Sequence, residues 1–148
     1  MRIWVLALLA ACAHGKSGGA SPTTTTLVML PTESDSHPSV ASAATDALAH
    51  AKIAGVGETV TSKVSIEVVQ LSIECVDATA ACYGAAAKSL SAGKLLFAQV
   101  DDDERGQPRV TVTLFDAAAG EPRASKRAFD SEAAAVAGVQ ALVSEVTR

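Results

Sequence analysis

Chemistry-bearing side chains are few and scattered in this chain. His14, His37 and His50 are scattered, and none lies near Cys75 and Cys82 in sequence, whereas a metal site needs three or four convergent ligands. Asp101-Asp102-Asp103-Glu104-Arg105-Gly106 has the acids at positions one and three and the glycine at position six of a calcium loop. Arg105 and Val112 then stand where that loop takes a ligand and a bidentate Glu, so the run reads as the solvated turn of a hairpin. There is no Gly-x-Ser-x-Gly, no phosphate loop and no Cys and His pairing of recognised spacing. Paired acids such as Glu67 and Glu74 fall on segments that read as solvated faces. No catalytic residue, no metal and no cofactor is expected. Cys75 and Cys82 are separated by six residues, where redox motifs have two. Within one helix their α-carbons would lie roughly 10 Å apart, beyond the reach of a disulfide. A bond between them therefore needs a chain reversal. Asp77-Ala78-Thr79 can supply it, with Asp77 or Thr79 capping the helix that holds Cys82.

The third cysteine has a different context. Met1-Arg2 is followed by an unbroken apolar stretch, Ile3 to Leu9, which has signal-peptide length and falls short of the roughly 20 apolar residues that span a bilayer. Leu9-Ala10-Ala11-Cys12 then resembles the lipobox of bacterial lipoproteins. That resemblance implies cleavage after Ala11 and acylation of Cys12, and several acyl chains, at about 0.8 kcal/mol per buried methylene, hold a protein firmly to a membrane. Ala13, where family members kept at the inner membrane usually have Asp, implies an outer-membrane anchor facing the periplasm. In that oxidising compartment the two remaining thiols, Cys75 and Cys82, are expected to pair.

Removal of residues 1–11 takes away Arg2 and no acid, leaving a net charge of about −5. Nucleic-acid binding, which needs clustered Lys and Arg, is not expected. Residues 12–26 are small and polar and read as a flexible tether. Residues 27–148 suffice for one domain with one core.

The elements expected in that domain begin with a short strand, Leu27-Val28-Met29-Leu30, stopped by Pro31. A helix over about 38 to 53 follows, with Val40, Ala44, Ala47, Leu48 and Ala51 at helical spacing and Gly55 beyond its end. Thr59-Val60-Thr61 suits a brief second strand, with Ser62 as a helix cap after it. Lys63 to Ile73 fits both periods, and its β-branched residues favour a strand. The alanine-rich run from Thr79 to Ala92 favours a helix, with Gly93 as its left-handed cap. Leu95–Val100 and the alternating Val110–Leu114 should pair as an antiparallel hairpin. Arg123 to Phe129 follows as a basic strand, whose Lys126 and Arg127 suit an exposed edge. A last helix, capped by Asp130, places Val136, Val139, Val143 and Val146 on one side. The fold class expected is α/β, a mixed β-sheet with an antiparallel hairpin, packed by three to four helices.

Leu27-Val-Met-Leu-Pro, the helix after it, Gly84 to Lys94 leading into Leu95-Leu-Phe-Ala-Gln-Val, and Val110-Thr-Val-Thr-Leu-Phe-Asp-Ala-Ala-Ala-Gly120 together resemble the amino-terminal domain of TolB-like periplasmic proteins. The resemblance implies a mixed sheet packed by helices, a helix over Lys63–Leu71, and a role in envelope protein contacts. The β-propeller that follows in TolB is absent from this chain, and no functional residue carries over. The expected function is thus that of a membrane-anchored, non-enzymatic binding or accessory module. Arg123, Lys126 and Arg127 are its expected docking edge for an envelope protein. The alternative is a small-ligand carrier or small periplasmic enzyme, which requires a pocket with convergent polar groups.

Overall fold

The computed structural model describes residues 24–148. Its elements run β1 (Thr25–Met29), α1 (Pro38–Ala49), β2 (Val56–Thr61), α2 (Ile66–Ser72), α3 (Ala80–Ser89), β3 (Lys94–Asp102), β4 (Pro108–Asp116), β5 (Glu121–Ala128) and α4 (Glu132–Thr147). The strands form one sheet in the order β2-β1-β3-β4-β5. β1 is parallel to both β2 and β3, and the β3–β4–β5 half is antiparallel. This is the mixed sheet with a hairpin, packed by four helices, that the residue pattern implies.

The alternation of side chains along each strand sorts the apolar residues into two cores. Leu27, Met29, Leu96, Ala98, Val110, Val112 and Leu114 point to the face covered by α1 and α4, and meet Val40, Ala44, Leu48, Val139, Leu142 and Val143 there. Val28, Leu30, Leu95, Phe97 and Phe115 point to the other face, against Ile66, Val69, Tyr83, Ala86 and Ala87 of α2 and α3. The tilted rings of Tyr83 and Phe97, with centroids 5.1 Å apart, lock α3 onto β3. On that face Thr113 and Phe115 of β4 are buried, whereas Pro122, Ala124 and Lys126 of β5 are exposed.

Several local expectations are corrected. α1 ends at Ala49 rather than near residue 53, and β2 starts at Val56, after Gly55 has turned the chain at φ +75°. Thr25 and Thr26, which read as tether, already belong to β1. Residues 66–72 are helical against β propensity, as the TolB-like resemblance implies. Ser65 stands at the N-cap position of α2 with its hydroxyl donating to Glu33, and burial of Ile66, Val69 and Gln70 selects the helical period. Ser62, expected as the cap, instead closes a turn with Val64. α4 is capped by Ser131, whose Oγ accepts from Ala134 N at 3.2 Å, rather than by Asp130. Ala135 and Leu142 share the buried side of α4 with Val139, Val143 and Val146, while Val136 is exposed.

The end of α3 shows why Gly93 is a glycine. The left-handed residue is Ser91 (φ 52°), and the bonds Ser91 N–H to Lys88 O and Ala92 N–H to Ala87 O complete a Schellman cap. Gly93 serves close packing, for a Cβ there would lie 2.6 Å from Thr25 Cγ2.

Candidate functional site

Cys75 and Cys82 are joined, with their α-carbons 5.5 Å apart. Two helix ends bring them together. α2 closes in a second Schellman cap, with Glu74 left-handed (φ 55°) and Cys75 N–H donating to Gln70 O at 2.9 Å. Thr79 caps α3, its hydroxyl accepting from Cys82 N at 3.2 Å. The bond thus staples the last turn of α2 to the first turn of α3, through the reversal that Asp77-Ala78-Thr79 was expected to make. Cys12 lies outside the described residues.

The basic strand is β5, an edge of the sheet with most of its residues exposed. Its cations do not form one stripe, because successive side chains point to opposite faces. Arg123 and Arg127 lie on the α4 side, where the Arg123 guanidinium donates to the Arg148 carbonyl at 2.6 Å and Arg127 pairs with Glu145 at 2.9 Å. Ser125, between them, also bonds Glu145. The Ser125 hydroxyl, followed by Arg127, holds the Glu145 carboxyl below the usual range. Lys126 is on the opposite face, the open one. It borders a concavity of about 370 Å³ whose other lining residues include Tyr83, Gln99, Asp101, Thr111 and Thr113.

The chemistry available in that concavity is hydrogen bonding and charge. Its lining includes neither histidine nor cysteine, and burial pushes the Tyr83 hydroxyl above its ordinary 10, so the ring stays protonated at neutral pH. Gln99 donates to Glu67 Oε1 at 3.0 Å, fixing one carboxylate on this face. Asp101 approaches Arg109 at 3.9 Å. Lys126 has no ion-pair partner among the described residues. The result is a small polar shelf beside an unpaired strand edge, with one cation free to meet a partner's acid.

The acidic run resolves into separate duties. Asp103 Oδ1 accepts from the backbone of Arg105 and Gln107 at 2.8 and 2.9 Å, closing the β3–β4 turn with Gly106 left-handed. Those bonds, with Gln107 the largest cause, hold its carboxyl low. Asp102 contacts His37, a pairing that sequence reasoning missed. His37 is buried between Asp102 and Glu132, with a carboxylate on each ring nitrogen. No nitrogen is left to take a proton from a serine, so the nearby Ser36 and Ser39 are not activated nucleophiles. Nothing in local pattern links three residues so far apart in sequence.

The turn after β4 accounts for the Asp-x-x-x-Gly pattern. Asp116 Oδ1 accepts from Ala118 N at 3.0 Å, Gly120 is left-handed at φ 71°, and Lys94 pairs with Asp116 across the hairpin. Lys94 is the largest cause holding the Asp116 carboxyl below its ordinary value.

In sequence, the chain matches no protein-family model and no curated protein. Among solved structures, the chain is similar to the LpoB C-terminal domain from Salmonella enterica, at 16% identity and a TM-score of 0.42 over 71% of this chain and 82% of that one. The LpoB C-terminal domain from Escherichia coli gives 17% and 0.38 over 76% and 87%. A PelC dodecamer from Paraburkholderia phytofirmans gives 18% and 0.37 over 85% and 87%. At these scores the likenesses bear on neither family nor activity. Among the described residues no helix is long and apolar enough to cross a membrane.

Proposed function

We propose that this protein is a lipid-anchored accessory module of the bacterial envelope, tethered through Cys12 and acting by protein contact rather than by catalysis. Residues 1–11 would be its signal peptide, residues 12–26 its leash and the remainder its periplasmic domain, facing away from the outer membrane. The lipobox-like Leu9-Ala10-Ala11-Cys12 supports the anchor.

The observation that carries the contact reading is the exposed β5 edge with Lys126 standing over an open polar shelf. An unpaired strand edge offers backbone hydrogen bonds to an extended segment of another protein, and side chains beside it set the choice of partner. Lys126 selects an acidic side chain on such a segment. Arg123 and Arg127, tied to the C-terminal end of α4, fix the edge strand in place from its other side.

A photo-reactive residue at Ala124 tests this in cells. Wild-type protein should yield a discrete cross-linked envelope partner, and a Lys126→Glu, Arg127→Glu variant should lose it. Undiminished cross-linking by the charge-reversed protein would contradict docking at this edge.

A further inference from the structure

His37 immediately precedes Pro38 at the start of α1, and its side chain is only 8% exposed. Nε2 lies 2.7 Å from Asp102 Oδ1, at the end of β3, and Nδ1 lies 3.0 Å from Glu132 Oε1, in the first turn of α4. A carboxylate oxygen can only accept, so both ring nitrogens must be protonated for both contacts to be hydrogen bonds. The arrangement is that of an imidazolium. A neutral ring keeps one N–H and turns a lone pair onto the second carboxylate.

The two carboxylates are held unequally. Glu132 also accepts from the Ser39 hydroxyl at 2.6 Å and sits in the first turn of α4, where the helix dipole favours an anion. Beyond His37, Asp102 has only Ser36 Oγ at 3.4 Å, the outer limit of a hydrogen bond, although both carboxylates are about half exposed, at 52% for Asp102 and 47% for Glu132. Loss of one ring proton turns a lone pair onto one of the two carboxylates, and Asp102, less held by other groups than Glu132, is the one free to swing away.

We propose that His37 is a pH-operated latch, which ties the end of β3 to the N-terminal ends of α1 and α4 when doubly protonated and releases Asp102 when neutral. The groups that face the ring are Asp102 from β3 and Glu132 from α4. In its own segment the Ser34 hydroxyl accepts from the His37 backbone N–H, while the Ser36 and Ser39 hydroxyls donate to Asp102 and Glu132 respectively. The positive end of the α1 dipole opposes the charge on the ring. The carboxylates prevail: His37 titrates above its ordinary 6.5, with the Glu132 hydrogen bond the largest cause and burial working against it. The latch is closed below that ordinary value and opens as pH rises through the raised one. What it frees is the rim next to Asp101, a residue that lines both the shelf beside β5 and a second concavity bounded by Glu33, Ser34 and Asp35. The polar end of the sheet would thus loosen in alkaline surroundings.

The test is a titration from about pH 5 to about pH 10 of the histidine ring 15N shifts, assigned with His37→Gln, together with amide protection over Val100–Glu104. Two protonated ring nitrogens are expected on the acidic side and an Nδ1–H tautomer on the alkaline side. Protection factors at Val100–Glu104 should fall roughly tenfold through the midpoint, as the loss of one charge-assisted hydrogen bond allows. Asp102→Asn, at a half-exposed position that the fold tolerates, should move the midpoint down toward 6.5 and remove the pH-dependent loss of protection. A ring already neutral at about pH 6, an Nε2–H tautomer above the midpoint, or protection that is flat through the titration would overturn the latch.

Discussion

Reduction of the Cys75–Cys82 bond should lower the melting temperature by about 10 °C. The bond joins residues seven apart, and the chain-entropy relation assigns a closed loop of that size about 2.5 kcal/mol at room temperature. Unfolding entropy of about 2.1 cal/mol/K per residue, taken over residues 24–148, comes to roughly 260 cal/mol/K, and the quotient of the two is the expected shift. Cys82 is buried at the start of α3, and reduction leaves its sulfur in place, so no cavity adds to the effect. The assay is thermal melting by circular dichroism with and without reductant, beside a Cys75→Ser variant that should melt with the reduced protein. Reduction should also expose the reversal between α2 and α3 to protease before the rest of the domain. A shift below about 2 °C, with complete thiol labelling confirming reduction, would refute the loop-closure reasoning. Labelling of Cys75 in the native, unreduced protein would refute the bond itself.

Gly138→Ala in α4 should destabilise by about 1–3 kcal/mol although alanine is the better helix former, because a Cβ there meets the Phe129 ring; a higher melting point would show that the ring yields freely. Ser91→Gly should stabilise by about 1 kcal/mol by removing the side-chain penalty of the left-handed cap, and urea unfolding would detect it. The Asp116 carboxyl is lowered by Lys94, so its contribution is present above the ordinary 3.8 and is lost as pH falls through the depressed value. Asp116→Asn should therefore melt lower than wild type at neutral pH and approach it under acid, whereas a constant difference would show that the loss is not one of charge.

The parts of this fold legible in the sequence are those where burial and local propensity agree. Val110 to Leu114 alternate because one side of β4 packs on α4 and α1, and Thr111, half-buried, and Thr113, buried, alternate with them on the side that lines the shelf. The disulfide was legible from the two thiols left in an exported chain, with chain geometry adding that a reversal capped by Asp77 or Thr79 must bring them together; Thr79 is the cap. α2 was not legible from propensity. Val68 and Leu71 on it are exposed, as is Val64 in the turn before it, so tertiary packing of Ile66 and Val69 decides against the strand that β-branching favours. The β5 edge was legible as a basic strand but not as two faces, because the partners that tie down Arg123 and Arg127 come from the far end of the chain. His37 was invisible for the same reason: its meaning depends on Asp102 and Glu132, which only the meeting of β3 with α4 brings to it.

The anchored, exported state is tested most directly by the intact mass of the protein extracted from membranes, with free thiols alkylated without reduction, beside a Cys12→Ser variant. The account predicts loss of residues 1–11, added acyl chains on the wild type alone, and no alkylated cysteine. An uncleaved, unlipidated chain in which Cys12, Cys75 and Cys82 all react would contradict it.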